Sequence, residues 1–155
     1  MTNLYTLIKN NYDKLFQLIS TDAELLSHVN KNNFYRDIAY FGDTTWPDGI
    51  AILDPVIQKG EQSFGLETYI LTYDIEVYTK QLPHDQSRDM LMKMMDRIVE
   101  LCDIKTNTSL SDTCTFMKVL NANPRPKRGL SVSGKTSRRR GEIRIQAHLS
   151  IALTT

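Results

Sequence analysis

The sequence predicts one α+β domain, residues 1–155, in which helices cover one face of a mainly antiparallel sheet. Apolar residues recur at helical spacing in two segments, whereas two other segments alternate between apolar and polar residues. Strand-helix-strand units do not repeat along the chain, so a parallel sheet is not expected. The expected order of elements is α-α-β-β-α-β-β, with an extended basic loop, 122–141, between the last two strands.

The chain begins with two expected helices. Residues 4–19 place their leucines and isoleucines on one helical stripe, which predicts a first helix. Thr21 and Glu24 fit a capping box, in which both side chains satisfy free backbone N–H groups of a second, short helix. Residues 36–48 read as an irregular loop around Trp46, which suits a core position and an interface equally well.

Two strands are expected next. Gly49 to Val56 contains a short apolar strand that stops at Asp54 and Pro55. Thr68–Lys80 is the clearest strand, since its aromatic and aliphatic residues alternate with polar ones. At about 3.3 Å per residue it spans roughly 40 Å, so part of it is expected to project or to pair with a neighbour.

The third helix is expected at Ser87–Leu101, after Pro83 ends the long strand and with Asp85 or Ser87 as its cap. Its stripe is rich in methionine, which favours adaptable packing on the sheet around Thr68–Lys80. A pliable protein-binding face is the other interpretation.

The sheet closes with strands at Thr113–Asn121 and Gly141–Leu153. The alternation of the last strand places His148 on the outer face of the sheet. Asp74 and Glu76 share one face of the long strand and read as a solvated pair of carboxylates.

Charge is unevenly distributed along the chain. The net charge is +1, but residues 124–144 hold eight Lys and Arg residues against one Glu, which gives +7. The remaining eleven basic and seventeen acidic residues give −6. This asymmetry indicates an acidic partner, either nucleic acid or a complementary protein face.

The basic loop is the candidate functional element. Seven residues are expected to face a partner or DNA, and none of their neighbours is aromatic, which favours phosphate or acidic protein contacts over base stacking. A loop this long is uncommon in a compact domain; it is expected to contribute to partner contact and little to folding, although a solvated connector is the alternative. The seven residues are Arg125, Lys127, Arg128, Lys135, Arg138, Arg139 and Arg140.

Within this loop, Gly129–Thr136 matches the phosphate-binding pattern G-x-x-x-x-G-K-[ST]. The pattern needs an apolar strand before it and a helix after it, because the amides at the helix N-terminus meet the phosphates. Here prolines and arginines lead in, and a strand pattern follows. We therefore expect neither nucleotide hydrolysis nor any other catalytic site, metal or cofactor.

Other features point to an intracellular, reduced protein. Cys102 and Cys114 lie among apolar residues and are expected to be packed thiols. The N-terminus carries no secretory signal pattern, and no apolar run reaches the roughly 18 residues that span a bilayer. A cytoplasm-like compartment is expected.

With this order of elements, the whole chain resembles the tail terminator (tail completion) proteins of long-tailed bacteriophages. The residues that carry the resemblance are the helix 4–19, the strand Thr68–Lys80, the helix Ser87–Leu101 and the closing strands Thr113–Asn121 and Gly141–Leu153. The basic content of 124–140 has no counterpart in a family pattern.

The resemblance implies a structural virion protein that is made in the host cytoplasm and located in the tail-neck region. It implies a homo-hexameric ring that caps the tail tube and joins it to a head connector or stopper, with genomic DNA passing through the lumen. Another neck or head-closure component, or a stand-alone nucleic-acid-binding protein that uses the basic loop, are the alternatives.

Overall fold

The computed structural model of the protein describes residues 3–36, 48–63, 65–103, 110 and 112–152. Trp46, most of the expected loop around it, and Leu153 lie outside these residues. The described residues form three α-helices and one mixed sheet of eight strands, so the α+β class is confirmed. The helices are α1 (Leu4–Ser20), α2 (Ala23–Leu26) and α3 (His84–Leu101). The strands are β1 (Phe34–Arg36), β2 (Gly49–Ile52), β3 (Val56–Ser63), β4 (Leu66–Tyr78), β5 (Leu82–Pro83), β6 (Phe116–Asn123), β7 (Leu130–Ser133) and β8 (Thr136–Ala152).

Strands β4 and β8 form the antiparallel centre of the sheet and pair from Leu66–Ala152 to Tyr78–Arg140. β2 and β3 share the other side of β4, while β6 and β7 share the other side of β8. The long strand therefore does not project: β3, which the sequence analysis did not predict, pairs with its N-terminal half.

One face of the sheet is covered by α1 and α3. Alternate residues of β4 and β8 are fully buried beneath them, including Tyr73 and Ile145. α3 lies mainly over β8 and not over β4 as expected, and the approach is closest at Gly141. A Cβ atom at Gly141 would lie 2.3 Å from the Met95 sulfur, so a larger residue there would displace the Met95 side chain.

The helix caps differ from those expected. Asp22, not Thr21, caps α2: its carboxylate accepts a hydrogen bond of 3.0 Å from the Leu25 N–H. α3 begins at His84 without a side-chain cap. Ser87 is instead fully buried against β8, where its hydroxyl forms a hydrogen bond with the hydroxyl of Ser137.

A buried polar chain ties α1 to the sheet. Tyr73 in β4 donates a hydrogen bond of 2.7 Å to the amide oxygen of Asn11, which is fully buried. The Asn11 amide nitrogen donates in turn to Thr113, at 3.1 Å. These bonds satisfy buried polar groups that would otherwise destabilise the core, and they fix α1 above β4.

Residues 122–141 are not one long loop, which corrects the expected architecture. β6 extends to Asn123, β7 occupies Leu130–Ser133, and β8 starts at Thr136, five residues before the expected strand. Backbone pairing between β7 and β8 accounts for this order, and only the segment between β6 and β7 remains irregular.

Candidate interaction surfaces

The basic segment is built around a tight β-hairpin. Gly134 and Lys135 form its two-residue turn, between the paired residues Ser133 and Thr136. Gly134 has a φ of +60°, a conformation that glycine adopts without strain. Strand β8, not a helix, follows Thr136. The strand expected after the phosphate-loop pattern is confirmed, and β8 occupies the place where that pattern requires a helix N-terminus.

Arg139 is held by the N-terminal end of α3. Its Nε donates a hydrogen bond of 3.0 Å to the Ser87 hydroxyl, which lies 2.7 Å from the hydroxyl of buried Ser137. Its backbone exchanges hydrogen bonds with Thr79 at 2.8 and 2.9 Å. The neighbouring Arg138 approaches Asp48 at 3.9 Å. Both residues are therefore part of the folded sheet.

Arg140 lies in an ion-pair network on the outer face of the sheet. Its Nη2 is 2.8 Å from Glu76 and 2.5 Å from Glu142. Tyr78 also donates a hydrogen bond to Glu76, and burial together with this bond raises the pKa of Tyr78. Burial lowers the pKa of Arg140, but the hydrogen bond to Glu76 and the charges of Glu76, Glu142 and Tyr78 together leave this pKa raised. The side chains of Arg140 and Glu76 are only 18% and 17% exposed, so this charge faces its partners and not solvent.

The other basic residues lie on the surface. Arg125, Lys127 and Arg128 are exposed in the segment between β6 and β7, and Lys135 is exposed at the hairpin turn. Within the described residues, Arg125, Lys127 and Lys135 form no ion pair. These charges are available to a partner, so the structure divides the seven predicted residues into an engaged group and an exposed group.

The rest of the outer face is polar and paired. Arg144 holds Asp74 through two hydrogen bonds, at 2.8 and 3.3 Å. The expected solvated edge is therefore wrong for Glu76, whose side chain is 17% exposed and pairs with Arg140. Asp74 stays 40% exposed beside Arg144. His148 does lie on this face, as expected, and stacks on Phe116 with 4.2 Å between ring centroids. Burial, and then the charge of Lys118, lower the pKa of His148.

The sheet has two open edges at opposite sides. Among the described strands, β3 has no neighbour beyond it on one side and β7 has none on the other. Large apolar side chains are exposed on both: Val56 and Ile57 by 69% and 49%, and Leu130 and Val132 by 52% and 57%. Exposed apolar edge strands are templates for pairing with another chain.

A groove runs beside the β3 edge. It has a volume of about 570 Å³ and lies between α1 and the start of β3. Tyr5, Ile8, Pro55 and Ile57 supply its apolar walls. Arg36 lies over the Tyr12 ring beside it, 5.4 Å from the ring centroid, and pairs with Asp13 at 2.7 Å.

Sites for redox or metal chemistry are not formed by the part of the chain that the structure describes. Cys102 and Cys114 are free and buried, as expected. Burial raises their pKa to about 12 and about 11, so both stay protonated at neutral pH. No three His, Cys, Asp or Glu side chains in the described ranges are placed to hold a metal ion. None of the described helices has the length and apolarity to cross a membrane.

No protein-family model matches the chain, and no curated protein matches its sequence. The interaction surfaces therefore depend on the geometry alone. The β3 edge and its groove were not found from the sequence. The signal in the sequence was Gly65, since glycine is common where a hairpin turns. In the structure Gly65 has a φ of +79°.

Proposed function

We propose that the protein assembles into a closed homo-oligomeric ring, a hexamer, and acts as the tail terminator of a long-tailed bacteriophage. In this role the ring caps the tail tube and joins it to the head connector. The observation that carries the proposal is that one sheet has two different open edges, β3 and β7, at opposite sides of each copy.

Two different edges favour a ring for a geometric reason. When one surface of a protomer binds a different surface of the next, the contact is head-to-tail, and a rotation that closes produces a ring. The same contact also covers the exposed apolar residues on both edges, which a monomer leaves in water.

The exposed basic group has a place in this proposal. Arg125, Lys127, Arg128 and Lys135 are exposed in the segment between β6 and β7 and in the hairpin turn, so a ring repeats them in every copy. Turned inward, they contact the phosphates of DNA that passes through the lumen. Turned along the axis, they contact an acidic face of the tail tube or connector.

Light scattering on the purified chain, at several concentrations, is the first test. We expect the mass of six copies, and a stable monomer would contradict the ring. The second test adds the protein to polymerising tail-tube protein encoded by a flanking gene. The ring is expected to arrest tube growth and to remain at one end of each tube.

Nucleic-acid binding by a single copy is the second candidate, and the three exposed basic residues without an ion pair favour it. A monomer that binds duplex DNA with a steep salt dependence would support this candidate over the ring.

A further inference from the structure

The backbone of β7 directs hydrogen-bonding groups toward its open edge, where another strand can pair with them. The N–H and C=O of Arg139 point toward Thr79, on the β4 side of β8. Leu130 is paired with Arg139, so its own N–H and C=O point away from β8, toward the open edge. Val132, two residues further along, has the same orientation.

The backbone of β3 also directs hydrogen-bonding groups toward its open edge. Asp74 in β4 accepts a hydrogen bond from Leu53, so its polar groups point toward the side that β3 occupies. By alternation, Leu71 points toward β8. Ile57 is paired with Leu71, and therefore directs its N–H and C=O to the open edge.

We propose that β7 of one copy adds, antiparallel, to β3 of the next copy, with Val132 opposite Ile57. This inference rests on the proposed ring and names its interface. β3 and β7 run in opposite directions within one sheet, so a head-to-tail displacement brings them together as an antiparallel pair with the helices of both copies on the same face.

Side chains on the helix-covered face support this pairing. Ile57 and Val132 both lie on that face, because their partners Leu71 and Ser137 do. The side chain of the incoming Val132 lies beside Ile57 and enters the groove between β3 and α1. The groove gains an apolar occupant, and the exposed side chains of Ile57 and Val132 leave water together.

Charge complementarity fixes the register. With Val132 opposite Ile57, Lys135 in the turn comes near Asp54, which is exposed two residues before the start of β3. Moving the strand by two residues in either direction keeps the hydrogen-bonding pattern but separates these two charges.

Cysteine cross-linking of the full chain tests the register. Gln58 and Ser131 are opposite each other in the proposed pair, exposed, and on the outer face. A non-hydrogen-bonded antiparallel pair has Cα atoms about 4.5 Å apart, which a disulfide bridges without strain. On oxidation, the Gln58→Cys/Ser131→Cys variant is expected to form a ladder of covalent oligomers that ends at the ring size.

The matched control is Gln58→Cys/Val132→Cys, whose two side chains lie on opposite faces and are expected to cross-link little. The native thiols are buried and leave the background low. An equal ladder in both variants, or none in the first, would overturn the pairing. A ring by light scattering that gives no ladder contradicts this interface alone, whereas a wild-type monomer contradicts the ring as well.

A charge exchange tests the same interface without cysteines. Asp54→Lys and Lys135→Asp are each expected to raise the dissociation constant of the ring by about two- to fivefold per contact, the range of an exposed ion pair. The double exchange is expected to restore assembly, since opposite charges face each other again. Two single variants whose defects add in the double variant would show that these residues do not meet.

Discussion

The two halves of the basic segment, before β8 and within β8, carry similar charge, but their side chains have different surroundings. Arg138, Arg139 and Arg140 lie on β8, where Asp48, Ser87 and Glu76 hold them. Arg125, Lys127 and Lys135 lie in turns and in the irregular segment before β7, and are exposed. A central strand brings its side chains against other elements, whereas a turn does not.

The difference shows that clustered charge in a sequence does not measure charge available to a partner. The +7 of residues 124–144 is partly neutralised on the β8 side, since Arg140 and Arg144 have carboxylates at 2.8 Å. The charges that remain available to a partner are those of Arg125, Lys127 and Lys135, which precede β8.

The largest expected effect comes from removing three charges from each half. Arg138, Arg139 and Arg140, replaced together by Ala, are expected to lower the free energy of unfolding by about 3 kcal/mol or more. Buried hydroxyls and a half-buried carboxylate lose their partners in this variant. Urea denaturation measures the loss.

The matched control replaces Arg125, Lys127 and Lys135 by Ala, which removes the same charge. Its stability is expected to stay within about 0.5 kcal/mol of wild type, while assembly or DNA retention is lost. Equal stability of the two triple variants would mean that the engaged arginines contribute little to folding, as the sequence alone predicted.

A smaller effect isolates the Arg140 network. Arg140→Ala is expected to cost about 2 kcal/mol, because Glu76 is left half-buried without its partner. Adding Glu76→Gln removes the unpaired charge but keeps an acceptor for Tyr78. The double variant is therefore expected to recover about 1 kcal/mol in a double-mutant cycle, and strict additivity of the two changes would show that the pair is not coupled.

The smallest effect extends the comparison to an engaged arginine outside the segment. The hydrogen bond from Arg97 holds the pKa of Asp22 below its usual range. Because the folded pKa is depressed, this stabilisation is present above the unfolded pKa of about 3.9 and is lost as pH falls through the folded value.

Asp22→Asn keeps the α2 cap but removes the charge. Its melting temperature is expected to fall less than that of wild type between neutral pH and about pH 3. The same fall in both proteins would exclude Asp22 as a source of the acid sensitivity.

Periodicity alone predicted the main elements. α1, β4, α3 and the C-terminal part of β8 were found because each buries one face, and a buried face repeats its apolar residues at the period of its own backbone. The position of His148 and the burial of both thiols followed from the same local patterns.

Only the tertiary structure determined which partners the arginines contact and which strands form the edges of the sheet. Arg140 and Glu76 are 64 residues apart, and Arg139 and Ser87 are 52 apart, so no local pattern marks either pair. β3 is an edge strand exposed on most of its length, and the period of a buried face is therefore absent from its sequence. Contacts between distant segments determine the arginine pairs and the edge strands, since a side chain's partners depend on register and packing and not on its neighbours in the chain.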